Sequence, residues 1–155
     1  MVYAVRMQHA APADNRHPVN QIAVRLTQLL RVGVRPARLV EHLDLLDLLK
    51  HGSAGVAVQD DPYVRALDLA NRLVRAIESL GQGPTGLATR ALFGTTAETR
   101  GRLLKDRRRI AADELGLMPS TFRKYYEEDL ILDVAFALWS DSRQRAGWSS
   151  REENA

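Results

Sequence analysis

Seven residues in the second half of this cysteine-free chain of 155 residues carry the side chains that bind phosphate or read base edges: Arg107, Arg108, Arg109, Ser120, Thr121, Arg123 and Lys124. A guanidinium offers paired N–H donors to a phosphate or a guanine edge, an ammonium neutralises phosphate as a point charge, and a hydroxyl donates to either. The ten residues between the two groups, Ile110 to Pro119, have the pattern of a helix end, a tight turn and a helix start. In that pattern Ala112 lets two helices approach closely, Leu115 and Phe122 close the small core between them, and Gly116 ends the first helix. With Pro119 as the first residue of the second helix, Ser120, Thr121, Arg123 and Lys124 take its exposed early positions, while Phe122 and Tyr126, four apart, turn inward. Met118 stands where a capping side chain belongs but has no acceptor, so a buried place is expected for it.

Charge is distributed to match. The net charge is only +3, yet Arg100 to Lys124 holds eight basic residues (Arg100, Arg102, Lys105, Arg107, Arg108, Arg109, Arg123, Lys124) against Asp106, Asp113 and Glu114. From Glu127 onward the balance reverses: Glu127, Glu128, Asp129, Asp133, Asp141, Glu152 and Glu153 outnumber Arg143, Arg145 and Arg151. Such asymmetry suits an electrostatic footprint on phosphate, limited by the acids to the first two turns of the second helix. The alternative is a solvated helix face, or basic residues paired with the chain's own acids.

Other constellations carry less chemistry. Gly81-Gln82-Gly83-Pro84-Thr85-Gly86 spells G-x-G-x-x-G, but a helix rather than a strand precedes it and Pro84 removes an amide, so it reads as a helix stop followed by a proline start. His9, His17, His42 and His51 are too unevenly spaced for a metal set and read as polar-face histidines. Glu127, Glu128 and Asp129 point in different directions around a helix and read as surface acids rather than an acid/base pair. With no cysteine, disulfides, thiolate metal sites and a cysteine nucleophile are excluded. We expect no enzyme, no cofactor and no metal. No apolar run reaches the roughly 20 residues that cross a bilayer, and no secretory signal is evident, so a soluble cytoplasmic protein is expected.

The elements that must position these residues are helical throughout. Asn20 to Arg31 places Ile22, Leu26, Leu29 and Leu30 on one stripe, stopped by Gly33. Pro36 to Lys50, with Leu39, Val40, Leu43, Leu46 and Leu49 on one face and Leu45 and Leu48 widening it, reads as one central helix. After a loop at Val56 to Asp61, a helix from Pro62 to Leu80 presents Val64, Leu67, Val74 and Ile77 with Ala70, Leu73 and Leu80. Pro84 starts a short helix ending at Phe93-Gly94, and the motif helices follow at about Leu103 to Leu115 and Pro119 to Trp139. The expected architecture is therefore all-α: a compact bundle of about six helices with a C-terminal helix-turn-helix-like pair and a long last helix. Residues 1–17 form a flexible tail, 18–139 a single helical domain, with the helix-turn-helix-like segment at 103–139, and 140–155 a polar tail.

Leu104 to Trp139, with Arg107-Arg108-Arg109, Ala111-Ala112, Leu115-Gly116, Pro119-Ser120-Thr121-Phe122-Arg123 and Leu138-Trp139, resembles a helical segment of an uncharacterised actinobacterial family of small all-helical proteins. Leu80-Gly81-Gln82-Gly83-Pro84 and Leu92-Phe93-Gly94 fit the same pattern. The resemblance implies a small helical module, used alone or attached to regulatory or signalling proteins, and brings no activity with it. Two functions follow from the residues. In one, the chain is a DNA-binding transcription regulator, the seven residues above contacting the duplex. In the other, it is an adaptor whose last helix offers Leu130, Ile131, Val134, Phe136, Leu138 and Trp139 to a partner protein or a second copy.

Overall fold

Proline opens five of the helices in the structure, a computed structural model that describes residues 17–50 and 61–152, the last five as backbone only. Each such proline supplies a pre-set φ where the amide would have no helical partner. The described residues form eight α-helices and one 3-10 turn: α1 (Pro18–Leu29), α2 (Pro36–Leu39), the 3-10 turn (Val40–His42), α3 (Asp44–Leu49), α4 (Pro62–Glu78), α5 (Pro84–Phe93), α6 (Leu104–Glu114), α7 (Pro119–Tyr125) and α8 (Glu127–Glu152). The expected N-terminal tail lies outside the described residues except for His17, whose Nδ1 caps α1 by accepting from the Val19 amide at 3.2 Å. The loop expected at Val56 to Asp61 also lies outside, apart from Asp61, which caps α4 through the Tyr63 amide at 2.9 Å.

The core sits where α1 and α4 meet α8, with α5 packed on α6 beside it. Ile22, Leu26, Leu29 and Leu30 of α1 are fully buried, as their spacing requires. On α4 the buried face is Ala66, Leu69, Ala70, Leu73, Ala76 and Ile77, whereas Val64 and Leu67 are exposed. The face expected from the larger side chains is therefore turned: three alanines go inward and let α4 pack closely, and Val64 and Leu67 are left in solvent.

Two expected helices are broken, which is why there are more than six. Pro36 to Lys50 is not one central helix; the 3-10 turn at Val40–His42 divides it, so that α2 packs on α4 while α3 packs on α1. Leu39, Leu45, Leu46 and Leu49 are buried but Val40 is exposed. The last helix breaks at Tyr126, whose φ of −123° and ψ of −33° depart from helical values. On one straight helix the stripe of Phe122 would continue through Tyr126, Asp129 and Asp133. The apolar stripe Leu130, Ile131, Val134 and Leu138 lies about 125° around from it at 3.6 residues per turn. The break lets Phe122 and the Leu130 to Leu138 stripe both face the core, Phe122 and Val134 being fully buried, while Tyr126, Asp129 and Asp133 stay exposed. The expected polar segment beyond Trp139 is helical as far as Glu152, because α8 runs for 26 residues from Glu127. No helix among the described residues is long and apolar enough to cross a membrane.

Candidate functional site

The corner between α6 and α7 is built from small and apolar residues. Gly116 takes a left-handed φ of +65°, and the Leu117 amide donates back to the Ala112 carbonyl at 2.9 Å, closing the end of α6. Ala112 and Phe122 are fully buried and Leu115 is half-buried against the core. Met118 is the capping residue of α7 without a side-chain hydrogen bond, but it is 70% exposed rather than buried. Tyr126 does not turn inward either; the break at that residue leaves it 39% exposed.

The three consecutive arginines separate into three different roles. Arg107 does not reach solvent: it is 1% exposed, because it lies on the inner face of α6 one turn before Ile110 and Ala111. Its guanidinium donates to the carbonyls of Leu30, Leu92 (2.5 Å) and Arg102 (3.1 Å). Leu30 and Leu92 stand at the C-terminal ends of α1 and α5, where carbonyls have no helical donor. Arg107 thus ties three chain segments together; beside it Gly94 takes a left-handed φ of +72°, and a Cβ there would press on Arg107 Cδ at 3.2 Å. Burial, with Arg108 and Arg35 adding repulsion, lowers its pKa from the ordinary arginine value.

Arg108 is also spent within the fold. It forms a two-pronged ion pair with Glu127, both N···O distances being 2.7 Å, and Glu127 is 8% exposed rather than a surface acid. The pair fixes α6 against the start of α8. Only Arg109 of the three faces solvent, in a loose 3.7 Å pairing with Asp113. Arg107 and Arg108 are therefore withdrawn from the predicted phosphate grip.

On α7, Ser120, Arg123 and Lys124 are exposed and Thr121 is half-buried. Arg123 makes no ion pair among the described residues and lines an open groove of about 370 Å³ with Ala23, Val24, Glu128 and Leu132. Lys124 lies 5.0 Å from the centre of the Tyr125 ring, and hydrogen bonding and charge interaction with that side chain raise its pKa. Arg100, Arg102 and Lys105 are exposed as well.

The remaining candidates are settled by packing. Leu130, Ile131, Val134 and Leu138, expected to meet a partner, are buried in this chain's own core and Trp139 is half-buried, whereas Phe136 is 62% exposed. Burying those four side chains contributes on the order of 6–12 kcal/mol before entropy is counted, so they are not held open for another protein. In the glycine-rich segment, a Cβ on Gly86 would lie 2.0 Å from the Gly81 carbonyl oxygen, so the third of its glycines is required by close backbone approach. Among the described residues no group of three or more His, Asp or Glu is arranged to hold a metal; His9 and His51 lie outside them. Comparison with known proteins adds no relative: no family model, curated protein or solved structure matches the chain.

Proposed function

We propose that the chain is a DNA-binding regulatory protein that contacts duplex DNA through the helix-turn-helix-like corner of α6 and α7, using Arg109, Ser120, Thr121, Arg123 and Lys124. The observation that carries this reading is the orientation of α7: Phe122 is fully buried while Ser120, Arg123 and Lys124 face outward beyond a tight glycine turn. α7 has only seven residues, so the readable surface is its first two turns. Arg123 is suited to a guanine edge or a phosphate, Lys124 and Arg109 to phosphate, and Ser120 to either as a donor. Arg107 and Arg108 serve this surface indirectly by fixing α6 to α1, α5 and α8. The test is anisotropy of a labelled duplex at low salt. Wild type is expected to bind, and Arg123→Glu with Lys124→Glu to abolish binding while leaving the circular dichroism unchanged. Binding that persists in the double variant overturns the reading.

A further inference from the structure

α8 carries an outward stripe that the fold does not use. Asp129, Asp133, Phe136, Ser140, Arg143 and Gly147 recur at intervals of four, three, four, three and four, the spacing that keeps residues on one side of a helix. All are exposed except Ser140, which is half-buried, and Phe136 is 62% exposed. Asp129 and Asp133 are like charges one turn apart, and neither has an ion pair among the described residues. Burial first, and Asp129 second, raise the pKa of Asp133, so this pair is held at a cost. The ion pairs that α8 does make, Glu127 with Arg108 and Asp141 with Arg75 and Arg145, lie off this stripe. Among the described residues Arg143 makes no ion pair and lies 5.9 Å from the centre of the Trp139 ring.

The order of charges about Phe136 selects an occupant. Asp129 is seven residues before Phe136 and Arg143 seven after, each about 10 Å along the axis from it at 1.5 Å per residue. A twofold axis through Phe136 would bring the two phenylalanines together and set Asp129 against Arg143 of the partner subunit, twice over. A parallel pairing would instead oppose Asp129 to Asp129 and Asp133 to Asp133, which like-charge repulsion disfavours. We propose that two copies of this chain associate through antiparallel contact of their α8 helices, centred on Phe136 and flanked by reciprocal Asp129–Arg143 ion pairs. An open groove of about 420 Å³ beside Phe136, between α8 and the end of α4 at Ala76 and Leu80, gives the partner's side chains room at the edge of the contact. The proposal does not depend on DNA binding. A symmetric dimer would, however, present two α7 helices, one at each end of the paired α8 helices, and paired half-sites call for two such helices.

Sedimentation velocity over a wide concentration series tests it. Wild type is expected to show a monomer–dimer equilibrium that Phe136→Glu shifts to monomer, with unchanged circular dichroism. Asp129→Arg and Arg143→Asp should each weaken the dimer about tenfold or more, and the two changes together should restore it, because both ion pairs are then re-formed with reversed sign. Since the chain has no cysteine, Phe136→Cys supplies a single thiol that should cross-link the pair under mild oxidation, whereas Val24→Cys on exposed α1 should not. A wild type monomeric at every concentration, a dimer indifferent to Phe136→Glu, or a double charge exchange no better than the single ones overturns the proposal.

Discussion

Replacing Arg107 by methionine removes a buried cation while keeping most of its volume, and the structure sets the size of the effect. Three carbonyls, of Leu30, Leu92 and Arg102, lose their donor. An unsatisfied buried acceptor costs about 1–3 kcal/mol, so the gross loss is about 3–9 kcal/mol. Against it stands relief from burying a guanidinium that has no carboxylate partner among the described residues, worth several kcal/mol. We expect a net destabilisation of about 2–4 kcal/mol, since two of the carbonyls are helix ends left without any other donor. In thermal denaturation that corresponds to a midpoint lower by about 5–15 °C for a chain of this size. Binding of a DNA duplex well below the midpoint should be unaffected, since Arg107 lies inside the fold. A variant as stable as wild type would refute the carbonyl-tying role; a variant that keeps its fold but loses DNA would mean that Arg107 reaches the duplex after all.

Gly86→Ala should cost about 1–3 kcal/mol by forcing a Cβ against the Gly81 carbonyl, whereas Gly83→Ala, with open space around it, should change stability by less than about 0.5 kcal/mol; urea unfolding of both checks this, and equal effects would contradict the packing account. A double-mutant cycle on Arg108→Ala and Glu127→Ala should give a coupling of about 1–3 kcal/mol for this mostly buried two-pronged pair, and additive effects would mean the pair does not fix α6 to α8. For Asp133 the folded pKa is raised, so the folded chain binds that proton more tightly than the unfolded chain does. The stability it contributes is present below the ordinary aspartate range and is lost as pH rises through the raised folded value. Asp133→Asn should therefore raise the melting temperature of dilute protein at neutral pH and converge with wild type in acid, and a variant no more stable at neutral pH contradicts the sign.

Helix starts and stops were legible because they depend on local chemistry: Asp61 before Pro62, Gly94 after Phe93 and Gly116 after Leu115 each act within one turn of sequence. The two helix breaks were not marked by glycine or proline. The break at Tyr126 follows from a conflict of stripes, Phe122 leading to Asp129 and Asp133 on one side and Leu130 to Leu138 on another, which becomes visible only when the core is assembled. The same holds for the candidate site. Arg107 and Arg109 look alike in a basic run, but Arg107 lies three and four residues before Ile110 and Ala111, the spacing of a core face, whereas Arg109 is four before the exposed Asp113. That periodicity could have set Arg107 apart. The partner of Arg108 lies 19 residues away in sequence and required the fold. On α4 the expected Ala70, Leu73 and Ile77 are buried, but Ala66 and Ala76 escaped for the opposite reason, since hydrophobic size favoured Val64 and Leu67 while close packing favoured these alanines.

The central claim is that of the five cations predicted at the site three, Arg109, Arg123 and Lys124, remain to meet phosphate, and the salt dependence of duplex binding measures that number. The slope of log affinity against log salt is about −0.9 per phosphate neutralised, so three contacts give about −2.7 and an affinity that falls about 40-fold between about 50 and 200 mM salt. Were Arg107 and Arg108 also engaged, five contacts would give a slope of about −4.5 and a fall of about 500-fold over the same range. A slope near −2.7 that flattens with Arg123→Glu and Lys124→Glu is the predicted result. No binding at low salt, or a slope as steep as five contacts require, would contradict the account.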